Sequence, residues 1–366
     1  MVFVELNGKN KLLILNYIKI IFCCFIFIEL SYGQIETDRV FPILNHVTSA
    51  RMAAHGGYAI ASIDQDINAV YSNPSFYNPE GHFDLSFNHQ FQFLQTGIGN
   101  ITVGKKIKWN DLSLHAGIQY ANFGNIPGYD ENGQPTTTLN ANEYNFLTGA
   151  SILLFENMRI GANLKFLYSN LAEYTSNAMA LDVGFAYHVP ESPSTIGFAI
   201  RNIGRQLTTY DAVREPMPVD IQASGSIRLK HLPLRLGVVA HHLQRWNLLY
   251  ENPYDVEQSF AIDNQFAQPE AKQYGLVDNF FRHLIFQAEL AIGKSESFKL
   301  RLGYNHLMKR DLSVNGFRSL AGFSGGLGLR VYRFYFDYGL SVFHIAGVTH
   351  TLTLTTDLSS FKRKQL

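Results

Sequence analysis

Apolar and polar residues alternate with a period of two along most of the chain after residue 82. Two of the clearest runs of apolar residues at every second position are Leu112, Leu114, Ala116, Ile118 and Tyr120, and Ile160, Ala162, Leu164, Phe166 and Tyr168. A period of two places alternate side chains on opposite faces of a β-strand. The pattern predicts strands at 82–91, 97–106, 111–121, 142–154, 157–170, 177–188, 195–204, 219–230, 234–247, 283–293, 297–307, 319–331, 333–343 and 348–358.

The connections between these strands alternate in length. Those after even-numbered strands are mostly short, and several after odd-numbered strands are long: 122–141, 205–218, 248–282 and 308–318. Short turns at one end and long loops at the other are typical of outer-membrane barrels, and an even number of strands closes without a free edge. A soluble sandwich would share the alternation but not this asymmetry. We therefore predict an all-β fold, a transmembrane antiparallel β-barrel of about fourteen strands over residues 82–358, with twelve or sixteen strands as alternatives.

The second face of the predicted strands carries charged residues among many Gly, Ala and Asn. In a membrane barrel the apolar face contacts lipid and the other face lines the lumen. The charged residues predicted to line the lumen are Lys165, Asp182, Glu289, Arg301, Arg330 and Asp337.

Residues 1–33 have the pattern of a secretory signal peptide. Lys9 and Lys11 precede an apolar stretch over 20–28, and the small residues Ser31 and Gly33 follow it. An uncleaved membrane anchor is the competing interpretation. Cys23 and Cys24 are the two cysteines of the chain and lie in this segment, so the mature protein would have neither disulfides nor cysteine-bound metals. We expect export to the outer membrane.

The charge balance argues against nucleic-acid binding. Removing the three lysines and two glutamates of residues 1–33 from totals of 30 and 30 leaves 27 basic and 28 acidic residues. Nucleic-acid-binding proteins normally carry an excess of basic residues on one face. No such excess is present here.

Residues 34–81 do not alternate. They contain Gly56-Gly57 and the turn-forming pairs Asn73-Pro74 and Asn78-Pro79, and the sequence allows a short helix around 62–70. A periplasmic extension and a plug folded into the lumen both fit this segment. Residues 359–366 are predicted to be a short C-terminal tail.

Two motifs resemble those of hydrolases, but neither has the context that catalysis requires. Ser324 lies in a G-x-S-x-G stretch, which needs a strand-to-helix turn to expose the nucleophile, whereas here the strand pattern continues on both sides. A glycine-rich lumen face is the better interpretation. Ser359 and Lys362 fit S-x-x-K without the partner motifs of that chemistry. We predict no enzymatic activity.

Two further motifs resemble parts of metal sites. Asp64, Asp66 and Asn68 have the spacing of the first ligands of a calcium loop, but the required glycine and glutamate are absent, so helix capping is the preferred interpretation. His241 and His242 are adjacent and would face opposite sides of a strand, which prevents joint chelation. We predict no metal and no cofactor.

Several short stretches together resemble the PorQ family of outer-membrane proteins of the type IX secretion system. They are VTSAR at 47–51 with Gly56-Gly57 and Asn73-Pro74, GANLK at 161–165, RNIG at 201–204 with LTTY at 207–210, REPMP at 214–218 and AHHLQ at 240–244. The first stretch also resembles the plug of the wider group of fatty-acid-transporter barrels. The resemblance implies a fourteen-stranded barrel of that type.

The family resemblance further implies a role in the cell-surface attachment complex. The barrel would hold the surface protein PorZ and work with PorU and PorV, which join secreted cargo to lipopolysaccharide. The largest predicted loop carries aromatic residues among acidic ones, so the candidate partner-binding residues are Tyr250, Tyr254, Phe260, Phe266 and Tyr274. These rings could instead cover the barrel mouth. The alternative function is an outer-membrane transporter or channel for hydrophobic small molecules.

Overall fold

The computed structural model of the protein describes residues 40–79, 83–92, 96–107, 109–190, 192–248, 275–293, 296–312, 320–344 and 347–361. The predicted signal peptide lies outside these residues. No helix among them is long and apolar enough to cross a membrane.

The described residues form a closed antiparallel barrel of fourteen strands, as the alternation predicts. Each strand pairs with its neighbours in sequence, and β1 pairs with β14 to close the barrel. The strands are β1 (Phe83–Phe91), β2 (Gly97–Ile107), β3 (Leu112–Tyr129), β4 (Pro135–Phe155), β5 (Met158–Leu171), β6 (Tyr174–His188), β7 (Ser194–Thr208), β8 (Asp220–Arg228), β9 (Leu234–Ala240), β10 (Leu284–Ile292), β11 (Phe298–Asn305), β12 (Phe323–Val331), β13 (Phe334–His344) and β14 (Gly347–Asp357).

The two faces of each strand have opposite polarity, with the apolar face on the outside. In β5, Leu164 and Phe166 are 47% and 42% exposed, whereas Asn163 and Lys165, which alternate with them, are buried. A soluble sandwich would bury the apolar set and expose the charged one. The barrel is therefore built to face lipid.

The two ends of the barrel differ. The turn end carries the start of β1, the end of β14 and tight turns such as residues 156–157. The loop end carries the longer connections, including two short helices, α2 (Leu276–Arg282) and α3 (His306–Asp311). Short 3-10 helices at Trp109–Asp111 and Leu358–Phe361 lie at the turn end.

Two predicted strand boundaries differ from the structure at the loop end. The predicted loop 122–141 is largely strand, because β3 and β4 continue to pair as a hairpin with a tight turn at residues 130–134. The predicted strand 234–247 is shorter, because β9 ends at Ala240 and the chain turns where His242 has a φ of 55°.

Residues 40–79, here called the inner segment, lie within the barrel. They form α1 (Ala50–Ala54) and 3-10 helices at Pro42–Asn45, Ile67–Tyr71 and Pro74–Phe76. Ser49 caps α1 by accepting a hydrogen bond from Met52 N, and Asp66 caps the second 3-10 helix through Asn68 N. The predicted helix around 62–70 is thus a later and shorter 3-10 turn.

Candidate functional site

The inner segment is bonded to strands on different sides of the barrel. Near its start, Ile43 N donates to a carboxylate oxygen of Glu143 on β4 at 2.9 Å. Near its end, the side-chain amide of Asn73 donates to the carbonyl oxygens of Phe185 on β6 and Phe198 on β7, both at 3.2 Å. The inner segment therefore contacts the wall on different sides of the lumen, near both of its ends.

Glycines of the wall allow the inner segment to approach closely. A Cβ atom added at Gly326 on β12 would lie 2.6 Å from the Cβ of Ala54 in α1, and one added at Gly161 on β5 would lie 2.7 Å from the backbone of Pro74. Real side chains do not pack at these distances. The glycine-rich stretch around Ser324 thus makes room for α1, and Ser324 Oγ donates to the carbonyl of Ala54 at 2.9 Å.

Arg51 joins α1 to the wall through a buried group of charges. Its guanidinium donates to both carboxylate oxygens of Glu289 on β10 at 3.1 and 3.2 Å. It also donates to Asp64 at 3.0 Å and to Asp66 at 3.2 Å within the inner segment. Because the side chains of Arg51 and Glu289 are only 10% and 6% exposed, each charge depends on the other for stabilisation.

The same charge network continues along the wall toward the turn end. Arg301 donates to Glu289 at 2.8 Å and also bonds to Asp337 on β13. Arg330 lies at the end of β12, where its guanidinium is 5.0 Å from the centre of the Tyr335 ring. Arg301, Arg330 and Asp337 line an open cavity of about 670 Å³ at the turn end. Of these residues, Glu289 and Arg301 are buried, Asp337 is half-buried and Arg330 is exposed.

Lys165 and Asp182 form a second buried ion pair, on β5 and β6. The ammonium lies 2.7 Å from Asp182 and donates to the side-chain oxygen of Asn202 at 2.8 Å. Asp182 also accepts from Asn202 N at 2.8 Å and from Asn163 at 3.0 Å. Asn202 reaches this position with a φ of 59°, beside a shift of register between β6 and β7. Both side chains are buried, on the face of β5 and β6 opposite the exposed apolar residues.

A third group of ion pairs lies at the turn end of the wall. Asp111, in the 3-10 turn before β3, accepts from Arg159 at 2.9 Å and pairs with Lys106. Partial burial raises the pKa of Asp111, but the hydrogen bonds and positive charges of Lys106 and Arg159 outweigh it, so the pKa lies below its usual value.

The loop end of the lumen is apolar. The start of the inner segment packs there against residues of β2, β5 and the connection after β7. The buried members of this cluster are Val40, Phe41, Ile43, Leu44, Ile98, Ala121, Leu167, Ala178, Ala180 and Met217. Sequence alternation could not identify it, because these residues interrupt the polar face of the strands.

The arrangement of His241 and His242 corrects the sequence interpretation. Both residues follow the end of β9, and their ring Nδ1 atoms are in contact rather than on opposite faces. His242 N donates to Asp220 at 2.9 Å, which turns the chain at this point. Even so, no group of three His, Cys, Asp or Glu side chains is placed to hold a metal ion in the described part of the chain.

At the loop end, α2 and α3 are joined by ion pairs around Asp278. Its carboxylate accepts from Arg282 at 3.0 Å, from Arg310 at 2.6 Å and lies 3.2 Å from His306 Nε2. Partial burial raises the pKa of Asp278. The hydrogen bonds from the three basic side chains outweigh that effect and bring the pKa to about 2.

Apolar side chains are exposed beside these helices. Trp246, Leu276 and Val277 are 60%, 78% and 69% exposed. The predicted partner-binding residues Tyr250, Tyr254, Phe260, Phe266 and Tyr274 lie outside the described residues, in the same connection between β9 and β10.

Comparison with known proteins gives structural likeness only. No protein-family model matches the sequence, and no curated protein matches it. CymD, a monoaromatic hydrocarbon channel, has a TM-score of 0.53 at 11% identity, over 86% of this chain and 98% of that one. A TodX deletion mutant, also described as a monoaromatic hydrocarbon channel, has a TM-score of 0.50 at 10% identity, over 85% and 99%. The toluene transporter TodX of Pseudomonas putida has a TM-score of 0.48 at 10% identity, over 85% and 96%. The likeness to CymD and to the TodX deletion mutant shows that this chain has the fold of these two barrels.

Proposed function

We propose that this chain is a closed outer-membrane barrel that anchors a partner protein at the cell surface. The observation that supports this best is that the inner segment lies in the lumen and is bonded to the wall on different sides through Glu143, Asn73 and Arg51. An anchor needs no passage through its lumen. A channel would have to move this segment or conduct around it.

Opening the lumen at Arg51 would be costly. Removing one partner from a buried ion pair typically costs about 3–5 kcal/mol, because the other charge is left without compensation in a poorly solvated place. Moving α1 would separate Arg51 from Glu289 in this way. The buried pair thus favours a static element over a mobile gate.

The loop end offers a surface for the partner. It combines the exposed apolar side chains Trp246, Leu276 and Val277 with the charged residues of α2 and α3. Interfaces commonly place apolar and aromatic anchors within a polar rim. Through the resemblance to the PorQ family, the partner is PorZ, with PorU and PorV in the same complex and lipopolysaccharide as a neighbouring surface component. In this proposal the chemistry belongs to the partners.

The proposal is tested by isolating the tagged full chain from outer membranes of its host in mild detergent. A secretion-system surface protein is expected to copurify with it. The double variant Leu276→Ser/Val277→Ser should retain less of that protein, whereas Leu232→Ser, at an apolar residue that is 57% exposed at the turn end, should retain the wild-type amount. Isolation of the barrel with no such protein would refute the anchoring function.

A second candidate function is a channel for hydrophobic small molecules. It is supported by the shared fold with CymD and the TodX mutant, both described as monoaromatic hydrocarbon channels. Toluene uptake into vesicles containing the purified barrel, above that of protein-free vesicles, would support this function. An anchor with a closed lumen should give no such uptake.

A further inference from the structure

Two hydrogen-bonded pairs of histidine and tyrosine, here called the outer pairs, lie on the lipid-facing side of the barrel. His89 on β1 and Tyr120 on β3 meet across β2, with His89 Nδ1 2.8 Å from the tyrosine hydroxyl oxygen. His350 on β14 and Tyr338 on β13 meet in the same way at 2.7 Å. Leu352 pairs with both His89 and Tyr338, so the outer pairs are neighbours on the barrel surface.

Two glycines of β2 make room for the first outer pair. Gly99 pairs with His89 on one side and with Tyr120 on the other. A Cβ atom added at Gly99 would lie 2.6 Å from the Tyr120 hydroxyl oxygen, and one added at Gly97 would lie 3.3 Å from His89 Cε1. Because β2 has no side chain at these two positions, the histidine and tyrosine of its neighbouring strands can bond over it.

The outer pairs lie within the apolar surface rather than at its border. On β1, His89 lies between Phe87 and Phe91, which are 44% and 50% exposed. On β14, Val348 is 41% exposed and lies beyond His350 toward the loop end. Polar groups in contact with hydrocarbon are costly unless they are hydrogen-bonded, and such positions in membrane proteins commonly serve a function.

Each outer pair retains one unused hydrogen-bond donor. A neutral histidine and a tyrosine together have one N–H and one O–H, and the bond between them uses one of the two in either tautomer. Neither outer pair forms a further side-chain hydrogen bond within the described part of the chain. Two donors are therefore available to a molecule that lies against this face.

A cavity of about 590 Å³ opens on the same face. His89, Tyr120 and Tyr338 line the part of it that is nearer the loop end. The next row of paired residues toward the turn end also lines the cavity and is apolar. This row consists of Ile101, Phe87, Leu354, Phe336 and Leu329. The cavity is therefore amphipathic along the membrane normal, with its polar part toward the loops.

We propose that this cavity binds a lipopolysaccharide molecule of the outer leaflet. An acyl chain would lie against the apolar row. The ester and amide groups that join the acyl chains to the sugars would lie beside the outer pairs, and their carbonyl oxygens would accept the two unused hydrogen bonds. The inference goes beyond the anchoring function, because the site is on the lipid-facing wall and not on the loop-end surface that carries Leu276 and Val277.

The direction of the cavity selects this lipid. Long connections of outer-membrane barrels face outward, so the polar part of the cavity faces the cell surface. A lipid of the outer leaflet has its head toward the loops and its chains toward the turn end, which matches the cavity. A phospholipid of the inner leaflet has the opposite orientation and would place its chains against the outer pairs.

The test compares the full chain with the double variant His89→Phe/Tyr120→Phe. The variant removes one outer pair and leaves aromatic rings on the lipid-facing side. Purified lipopolysaccharide is titrated into the barrel in mild detergent, and the bound fraction is measured by native mass spectrometry. Loss of the hydrogen bond from this pair should weaken binding on the order of tenfold. Phosphatidylethanolamine, as the second probe, should bind wild type and variant equally and more weakly.

The matched control is Tyr144→Phe/Tyr168→Phe. These tyrosines face each other on β4 and β5, with ring centres 6.4 Å apart, so the control removes two hydroxyl groups outside the cavity. Its binding of lipopolysaccharide should stay within about twofold of wild type.

A second comparison tests the apolar part of the site and leaves the outer pairs in place. Leu352→Trp adds bulk within the cavity, whereas Leu164→Trp adds it at a similarly exposed position on β5. Only Leu352→Trp should weaken binding. If His89→Phe/Tyr120→Phe lowers the thermal unfolding temperature of the lipid-free barrel, this comparison decides the proposal.

The outcomes separate this site from the anchoring function. Equal binding of lipopolysaccharide by wild type and both cavity variants, or equal binding of the two lipids by wild type, would overturn the site and leave anchoring untouched. Self-association of the wild-type barrel that His89→Phe/Tyr120→Phe abolishes and lipopolysaccharide does not affect would assign the face to a second copy instead. Selective lipopolysaccharide binding by a barrel that retains no surface protein would support the site and refute anchoring.

Discussion

The guanidinium of Arg51 donates to both carboxylate oxygens of Glu289, at 3.1 and 3.2 Å. The two residues are 238 positions apart in the sequence, and their contact joins the inner segment to the wall of the barrel. Glu289 also accepts from Arg301 on the adjacent strand. One carboxylate therefore connects the inner segment to the ion pairs that run toward the turn end.

Replacing Arg51 by alanine should destabilise the barrel. The change would leave Asp64 and Asp66 near Glu289 with less positive charge between them, and removing one partner of a buried pair costs about 3–5 kcal/mol. The measurement is the temperature at which the folded barrel band is lost in a gel-shift unfolding series. Arg51→Lys keeps the charge but not the bidentate geometry, so its unfolding temperature should lie between those of Arg51→Ala and wild type. Equal unfolding temperatures for Arg51→Ala and wild type would show that the contact does not hold the segment.

Gly326→Ala should loosen α1 by steric overlap. The added methyl would lie 2.6 Å from both the Cβ of Ala54 and the backbone oxygen of Tyr338, so the segment or the wall must shift. Overpacking of this kind costs about 1–3 kcal/mol. Gly225→Ala is the matched control, because nothing lies within 4 Å of a Cβ at that strand position. Thermal unfolding and ion conductance in planar bilayers should change for Gly326→Ala alone. A reduced stability of Gly225→Ala to the same degree would mean that strand propensity, rather than α1, is the cause.

Alternation predicts the wall of this barrel well because the membrane enforces it. Each strand must present apolar atoms to lipid at every second position, so apolar residues such as Ile160, Leu164 and Phe166 predict a strand such as β5. The same constraint ends where the chain leaves the membrane. Beyond Asn122 both faces of the β3–β4 hairpin meet water, the alternation is lost, and sequence analysis predicts a loop.

The prediction for the end of β9 is wrong for a different reason. The sequence predicts strand to residue 247, seven residues beyond the observed end of β9 at Ala240. The chain turns instead because Asp220, from the adjacent β8, accepts the N–H of His242. A contact between residues distant in sequence decided the local conformation.

Contacts inside the lumen likewise depend on residues that are distant in sequence. Sequence analysis identified charged positions on the polar face, including Lys165 and Asp182, which pair with each other across adjacent strands. It missed Arg51 and Glu143 as contacts between the inner segment and the wall. The inner segment has no period that fixes its path, so its partners could be found only from the folded structure.

The ion pairs of Asp278 should persist far below neutral pH. The pKa of this carboxyl is lowered from 3.8 to about 2 in the folded protein, so its contribution is complete above about pH 4 and is lost as the pH falls through about 2. Trp246 can report this, because its carbonyl accepts hydrogen bonds from Asn279 and His283, on either side of Arg282.

The sequence has two tryptophans, so Trp109→Phe at the turn end leaves Trp246 as the single fluorophore. In that background the emission of Trp246 should change as the pH approaches 2. Asp278→Asn should already show altered emission at pH 7 and lack this transition. A transition centred near pH 4 that Asp278→Asn removes would mean that the carboxyl titrates as a free side chain.

Tags inserted at the two ends of the barrel should have opposite accessibility on intact cells. Long connections of outer-membrane barrels face outward and short turns face the periplasm, so the tip of the β3–β4 hairpin and α2 should lie outside the cell. A tag after Gly133, in the exposed turn of this hairpin, should bind antibody without permeabilisation. A tag after Glu156, in the turn between β4 and β5, should bind only after the outer membrane is permeabilised, with a periplasmic marker as the integrity control. Reversed labelling would place the tip of the β3–β4 hairpin in the periplasm, which would remove the basis for anchoring a surface partner while leaving the barrel fold intact.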